Sequence, residues 1–314
     1  MSLAAKVLKG DVAAAARLIT LIEDESPDAL KEMESLYPHT GKAYIVGVTG
    51  APGVGKSTLT DNLIGYFRQK DMTVGVIAID PTSALTGGAL LGDRIRMQRH
   101  TADPKVFIRS LATRGWVGGL AKAAIGAVHV MDAMGKDIIL VETVGSGQVE
   151  LDIVKAADTT LLVLAPGAGD EIQMMKAGIL ESADVIAINK ADLEGADRLK
   201  VDLESLLTMK TCHSGDWQMP IVLTEAINDK GTDELSSTLL KHHEYLIASG
   251  KLPERRRERA KLELLETVEG HLKDMIHDLD GGDYLEKLVD TVQKGQLTPQ
   301  SAAAEIMTRL LKKR

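Results

Sequence analysis

The segment Gly50-Ala51-Pro52-Gly53-Val54-Gly55-Lys56-Ser57 sets glycines, a lysine and a hydroxyl in the spacing G-x-x-x-x-G-K-[ST], the pattern of a loop built to hold phosphate. Glycines let consecutive backbone N–H groups turn inward on one anion, and the helix that follows adds its partial positive charge. Lys56 is expected to reach the β- and γ-phosphates of a nucleotide, and Ser57 to offer a hydroxyl to Mg²⁺, with Thr58 completing the nucleotide-binding stretch. A second segment, Asn189-Lys190-Ala191-Asp192, carries base-reading chemistry. The Asp192 carboxylate can accept hydrogen bonds from both N1–H and the exocyclic amine of guanine, a donor pair that adenine lacks. The Lys190 stem would lie along the purine face, and Asn189 would tie this loop back to the phosphate loop. GTP is thereby favoured over ATP.

Carboxylates complete the set. Asp80 and Glu142 each end an apolar run, and Asp93 lies in the long Gly-containing stretch from Pro81 to Pro104. Acids at strand ends beside a phosphate loop suit metal binding or water orientation, and Thr143-Val144-Gly145 after Glu142 suits a sensor of the γ-phosphate.

Such residues need elements that bring them together. Tyr44 to Val48 reads as a buried strand before the loop, and Thr58 to Lys70 as a helix after it, with Leu59, Leu63, Ile64 and Phe67 on one side. Strand-like runs recur at Tyr44 to Thr49, Thr73 to Asp80, Val106 to Leu111, Asp137 to Glu142, Thr159 to Ala165, Asp184 to Asn189 and Pro220 to Thr224. Helical patterns alternate with them, which predicts an α/β P-loop NTPase fold: a mostly parallel sheet covered by helices on both faces. Residues 1–42 read as an N-terminal helical segment, with one helix from Leu3 to Ile22 and another opened by Ser26-Pro27. Residues 43–250 form the nucleotide domain. Residues 251–314 are helical, from Glu254 to Leu279, from Tyr284 to Gly295, and from Thr298-Pro299 onward, a pair that fits an N-cap with proline in the first turn.

Composition limits the alternatives. The 314 residues are 44% hydrophobic, enough for a large core, and the net charge of −8 argues against a nucleic-acid binder. The basic cluster Arg255-Arg256-Arg257 with Arg259 is interleaved with Glu254 and Glu258 and reads as a solvated helix face. A lone Cys212 suits a reducing compartment, and Cys212-His213 lacks partner ligands for a metal. With no apolar span long enough for a membrane and no signal-peptide pattern, a cytoplasmic protein is expected.

Together these segments resemble the ArgK/MeaB family, the G-protein chaperones of adenosylcobalamin-dependent methylmalonyl-CoA mutase and its relatives. The likeness runs from Tyr37-Pro38-His39-Thr40-Gly41 through the phosphate loop and Ile79-Asp80-Pro81-Thr82-Ser83. It continues through Gly87-Gly88, Leu91-Gly92-Asp93-Arg94, Ala112-Thr113-Arg114-Gly115, Glu142-Thr143-Val144-Gly145, Gly169-Asp170-Glu171 and Asn189-Lys190-Ala191-Asp192. It implies a Mg²⁺-dependent GTPase whose metal site uses Ser57, Asp80, Asp93 and Glu142. It also implies switch segments at 81–105, at 143–150 and from Gly167 to about Gly178, the last contacting the mutase. Homodimers with the helical extensions as dimer arm are implied too. Gln148, near the second switch, is a candidate for orienting water. Glu225, Ala226 and Ile227 fall in the second base-contacting loop, where Thr224-Glu225-Ala226 departs from the usual Thr-Ser-Ala; a backbone N–H there could still serve guanine O6. Further departures are Ala84-Leu85, Trp116 and Ser146. Two other readings compete. A nickel-chaperone type of metal-insertion GTPase would want a His-rich segment or a Cys-x-x-Cys pair, and neither is present; a P-loop kinase would prefer ATP.

Overall fold

The structure, a computed structural model, describes residues 1–80, 98–112, 117–143, 157–167, 179–208, 216–279 and 283–312; for Asp80, Gln98, Ala112, residues 117–121 and Ile179 only the backbone is described. Seven strands form one sheet: β1 Tyr44–Thr49, β2 Val74–Asp80, β3 Val106–Ala112, β4 Ile138–Glu142, β5 Thr159–Leu164, β6 Val185–Ile188 and β7 Ile221–Leu223, in the order β3-β2-β4-β1-β5-β6-β7. Every pairing is parallel. Strands covered on both faces have no solvent side to be polar toward, so they read as unbroken apolar runs. That is why each anticipated strand is found within about a residue or two of its expected ends.

Alternation along β1 to β4 divides the core. Tyr44, Val46 and Val48 of β1 join the cluster that holds Leu59, Leu63 and Phe67 of α4 (Lys56–Gln69) and Leu235 and Leu239 of the helix Thr232–Ala248, while Ile45 joins the opposite cluster. That second cluster is built from α1 (Leu3–Val7), α2 (Val12–Glu23), α3 (Pro27–Leu36) and the helix Val117–Ala133, through residues such as Leu18, Ile19, Ala127 and Met131. The single helix expected over Leu3 to Ile22 is two helices. Gly10 turns the chain at φ 82°, and Asp11 restarts it by accepting a hydrogen bond from Ala14 N at 2.9 Å. Glycine followed by a short acid is a stop and a new N-cap, and that pair outweighs the continuous Ala/Leu pattern.

The chain divides into two compact units, Met1–Arg256 and Arg257–Arg314. In the second unit, Leu279, Tyr284, Leu288 and Leu310 form a small core, with the Tyr284 hydroxyl 2.7 Å from Glu305. Thr298 accepts from Ser301 N at 3.2 Å, the anticipated cap of the last helix, Pro299–Lys312.

One expectation is corrected. Arg255 and Arg256 are not a solvated face, although they belong to a 27-residue helix, Lys251–His277. Arg255 grips Asp184 with two bonds of 2.7 and 2.8 Å, and Arg256 reaches Asp158 at 3.1 Å and the carbonyls of Ala43 and Gly41. Asp158 and Asp184 precede β5 and β6, so the guanidinium groups lie at the amino edge of the sheet. Buried between them, the Tyr44 hydroxyl meets Leu239 O at 2.8 Å and Thr159 Oγ1 at 2.6 Å, and Thr159 in turn meets His242 Nδ1 at 2.7 Å. Asp184 and Arg255 are 71 residues apart in sequence, and no local pattern announces the pair.

Candidate nucleotide site

The opposite edge carries the chemistry. Going outward from β1 the strand order runs through β4 to β2 on one side and through β5 and β6 to β7 on the other, so β1 is a topological switch point, where open α/β sheets place ligands beyond the strand ends. Val48 is in register with Glu142, Leu164 with Ile188, and Ile188 with Leu223. The loops after β1, β4, β6 and β7 therefore emerge side by side, bringing together residues far apart in sequence.

The loop after β1 is shaped by its glycines. Gly50 has φ 144°, and a Cβ there would lie 2.1 Å from Val163 O. Gly55, at φ 99°, precedes α4, and a Cβ there would lie 2.2 Å from Asn189 Nδ2. Both positions exclude a side chain, one against β5 and one against the loop after β6. Lys56 is buried and donates to Gly50 O at 2.6 Å and Ala51 O at 3.0 Å, so its ammonium is folded inside the curve of the loop. Ser57 donates to Glu142 Oε1 at 2.6 Å, and both side chains are buried. A serine on the first turn of α4 thus meets the acid ending β4, the pairing anticipated for a metal site.

Asn189 joins the two loops. Its Nδ2 donates to Val54 O at 2.8 Å, the tie to the phosphate loop expected from the sequence. Its Oδ1 accepts from Ala226 N at 3.0 Å and from Thr224 Oγ1 at 3.2 Å, which draws in the loop after β7. The Ala226 N–H is therefore engaged by Asn189. Lys190 sits at φ 57°, Asp192 is exposed, and Leu193 N closes the turn on Lys190 O at 2.9 Å. Glu225 pairs with Lys230 at 2.9 Å, which together with Asn228 holds its carboxyl below the usual range, and Ile227 is 87% exposed at the tip of the loop.

The sequence reading did not single out Asn62. It lies buried on α4 and donates to Ala226 O at 2.7 Å. The available signal was Asp61-Asn62 standing between Leu59 and Leu63, two polar residues on a turn that has to be buried. Asp93, Gln148 and the stretch after Gly167 up to Gly178 lie outside the described residues, as does Cys212-His213. Among the described residues, no cluster of three His, Cys, Asp or Glu side chains forms a metal site, and no helix is long and apolar enough to cross a membrane.

Known proteins resemble this chain along most of its length. A protein of Pyrococcus abyssi named as a GTPase is 50% identical over 309 residues, 98% of this chain and 95% of that one. The mitochondrial methylmalonic aciduria type A homolog of Caenorhabditis elegans is 31% identical, over 96% of this chain and 80% of its own length. A solved structure described as a LAO/AO transport system kinase superposes with a TM-score of 0.73 at 24% identity, covering 98% of this chain and 96% of that one, and supports the fold. Residues 15–279 match the family described as methylmalonyl-CoA mutase-associated GTPase MeaB. The match along nearly the whole chain places the protein in the MeaB family of P-loop GTPases, enzymes that hydrolyse GTP to GDP and phosphate.

Proposed function

We propose that this chain is a Mg²⁺-dependent GTPase that gates an adenosylcobalamin-dependent acyl-CoA mutase, methylmalonyl-CoA mutase or a near relative, controlling cofactor loading and protection. The observation that carries the nucleotide half is the Asn189 side chain, which bonds the phosphate loop at Val54 and the base loop at Ala226 at once. In this reading Gly50 to Thr58 cradle the phosphates, and Lys56 exchanges its two loop carbonyls for β- and γ-phosphate oxygens. Asp192 accepts from the guanine edge, Lys190 lies along the purine, and Ile227 and Glu225 border it.

The donor set beside the loop fits magnesium: a serine hydroxyl and a carboxylate oxygen 2.6 Å apart, both hard ligands and both buried. Ser57 and Glu142 would hold the ion, with Asp80 and Asp93 assigned to the same site by family likeness. When bound, it supplies neutralisation of the charge that develops on the transferring phosphoryl group. Lys56 contributes a fixed positive charge at the same group, the loop N–H groups orient it, and Gln148 is assigned the attacking water. Phosphoryl transfer depends on positioning and charge, with no covalent intermediate to the protein.

The partner half rests on the family's description and on the C. elegans relative's name. A homodimer is proposed through the exposed apolar residues Leu264, Leu265, Val268 and Leu272, which recur along one helix of the second unit. A cytoplasmic location is part of the same proposal.

Phosphate release from GTP and ATP, each with and without Mg²⁺, tests the first half; GTP-selective, Mg²⁺-dependent release is expected, and equal use of ATP overturns it. Calorimetric titration of purified mutase into the GDP-bound and GTP-analogue-bound protein tests the second. Binding that differs between the two nucleotides is expected, and no binding in either state overturns it.

A further inference from the structure

The peptide of Ala226 is held at both ends. Its N–H goes to Asn189 Oδ1 at 3.0 Å, and its C=O receives Asn62 Nδ2 at 2.7 Å. The other end of the Asn62 amide is occupied too: Arg99 Nη2 donates to Asn62 Oδ1 at 2.7 Å. Arg99 is itself fixed by Asp61, Nε to Oδ2 at 2.5 Å, and the neighbouring His100 ring meets the Asp61 carbonyl at 2.9 Å. This arrangement orients the amide. A cation faces its oxygen and a carbonyl faces its nitrogen, so flipping the group would replace two attractions by two repulsions. Burial raises the Asp61 carboxyl above its usual range, and the nearby Arg99 and His100 oppose that shift.

We propose that Asn62, oriented by Arg99, is a positioning residue for guanine: it fixes the base loop by holding Ala226 O, and it ties that loop to the turn at residues 98–100. This rests on the reading of 224–227 as part of the base site. The turn Gln98–His100 lies five residues before β3, and one amide, that of Asn62, joins Arg99 to the loop proposed to border the base.

Asn62→Asp is the informative variant, because it keeps the volume and the Arg99 partner while it replaces the donor to Ala226 O by an anionic acceptor. Dissociation of a fluorescent GDP analogue is expected to be about tenfold faster, the cost of one buried carbonyl left facing an acceptor. Affinity for inorganic triphosphate, which has no base, should stay within about twofold of wild type. Arg99→Ala, at a half-exposed residue whose partner Asp61 is buried, should speed GDP release about threefold, and the double variant should be no faster than Asn62→Asp alone. Unchanged GDP release in Asn62→Asp overturns the proposal, and so does an equal loss of triphosphate, which would mark Asn62 as a support of the whole fold. Asp192→Asn is measured alongside. If it weakens GDP while Asn62→Asp does not, only this inference fails; if Asp192→Asn has no effect, the base-site reading fails and takes the inference with it.

Discussion

At the amino edge of the sheet, Asp184 and Asp158 each meet an arginine, Arg255 and Arg256, and the carboxylates also accept from the backbone at Thr160 N and Ile45 N, at 2.9 and 3.1 Å. At the carboxyl edge, Lys56 is held by two carbonyl oxygens and Ser57 by Glu142. Both edges bury carboxylates: Asp158 and Asp184 at one, Glu142 at the other. They differ in what those groups are bonded to. An ion pair with a bidentate arginine is expensive to disturb from either side, because the partner left behind is a desolvated charge. An ammonium on carbonyls can change partners for phosphate oxygens, and a hydroxyl and carboxylate can turn their oxygens to a metal ion, with little net loss. Burial of charge alone therefore does not mark a site; exchangeable bonding does.

The two edges should consequently fail in different ways. Lys56→Ala is expected to cut GTP turnover by about a hundredfold or more while the melting temperature stays within a few degrees. Near wild-type phosphate release from the folded variant would remove the contrast at its strongest point. Asp184→Ala should do the reverse, lowering the unfolding free energy by about 2 kcal/mol in a denaturant titration. That is below the cost for a fully enclosed pair because Arg255 is 38% exposed. Turnover per folded molecule should not change, and a loss of turnover without a loss of stability would mean that the amino edge takes part in function.

How much of this was visible in the sequence follows the same division. The carboxyl edge was legible because its residues sit in contiguous motifs on loops, and the strands before them are apolar runs whose ends are marked by Asp80, Glu142 and Asn189. Even the bond from Asn189 to the phosphate loop could be anticipated. The amino edge was not legible: Arg255, Asp184, His242 and Tyr44 meet only through the fold, and an arginine run interleaved with glutamates looks the same whether it faces water or two aspartates. Asn62 was missed for a related reason, since its role depends on a carbonyl 164 residues away. The break at Gly10 was written in the chain but was outweighed by the helical pattern around it.

Smaller effects sharpen the contrast. Asp192→Asn should weaken GTP about tenfold, because one acceptor for the guanine donors becomes a donor. A titration with xanthosine triphosphate, whose base offers an acceptor at that position, should show a gain, and equal losses for both nucleotides would deny Asp192 its role as a base reader. The smallest predicted change is in pH. His242 is fully buried, and burial lowers its pKa from 6.5 to about 4, against the pull of Asp184. Between those values the unfolded chain binds a proton that the folded chain does not, so stability falls as pH drops below about 6.5. From pH 7 to pH 5.5 the loss attributable to His242 is about 1 kcal/mol, and His242→Asn should flatten that part of the stability profile. An unchanged slope in the variant would show that the ring is not kept neutral by the fold.

Gly55 has one more consequence. Its hydrogen stands where a Cβ would strike the Asn189 amide, so the phosphate cradle and the base loop touch without a spacer between them. If a nucleotide occupies the proposed site, that contact sets the separation between its two ends, as the jaws of a caliper are set by a stop. In the proposed reading the protein gauges length as well as chemistry. Guanine joined to its phosphates by a linker longer or shorter than ribose should be rejected even with every donor and acceptor in place. Gly55→Ala should open the caliper and loosen both ends together.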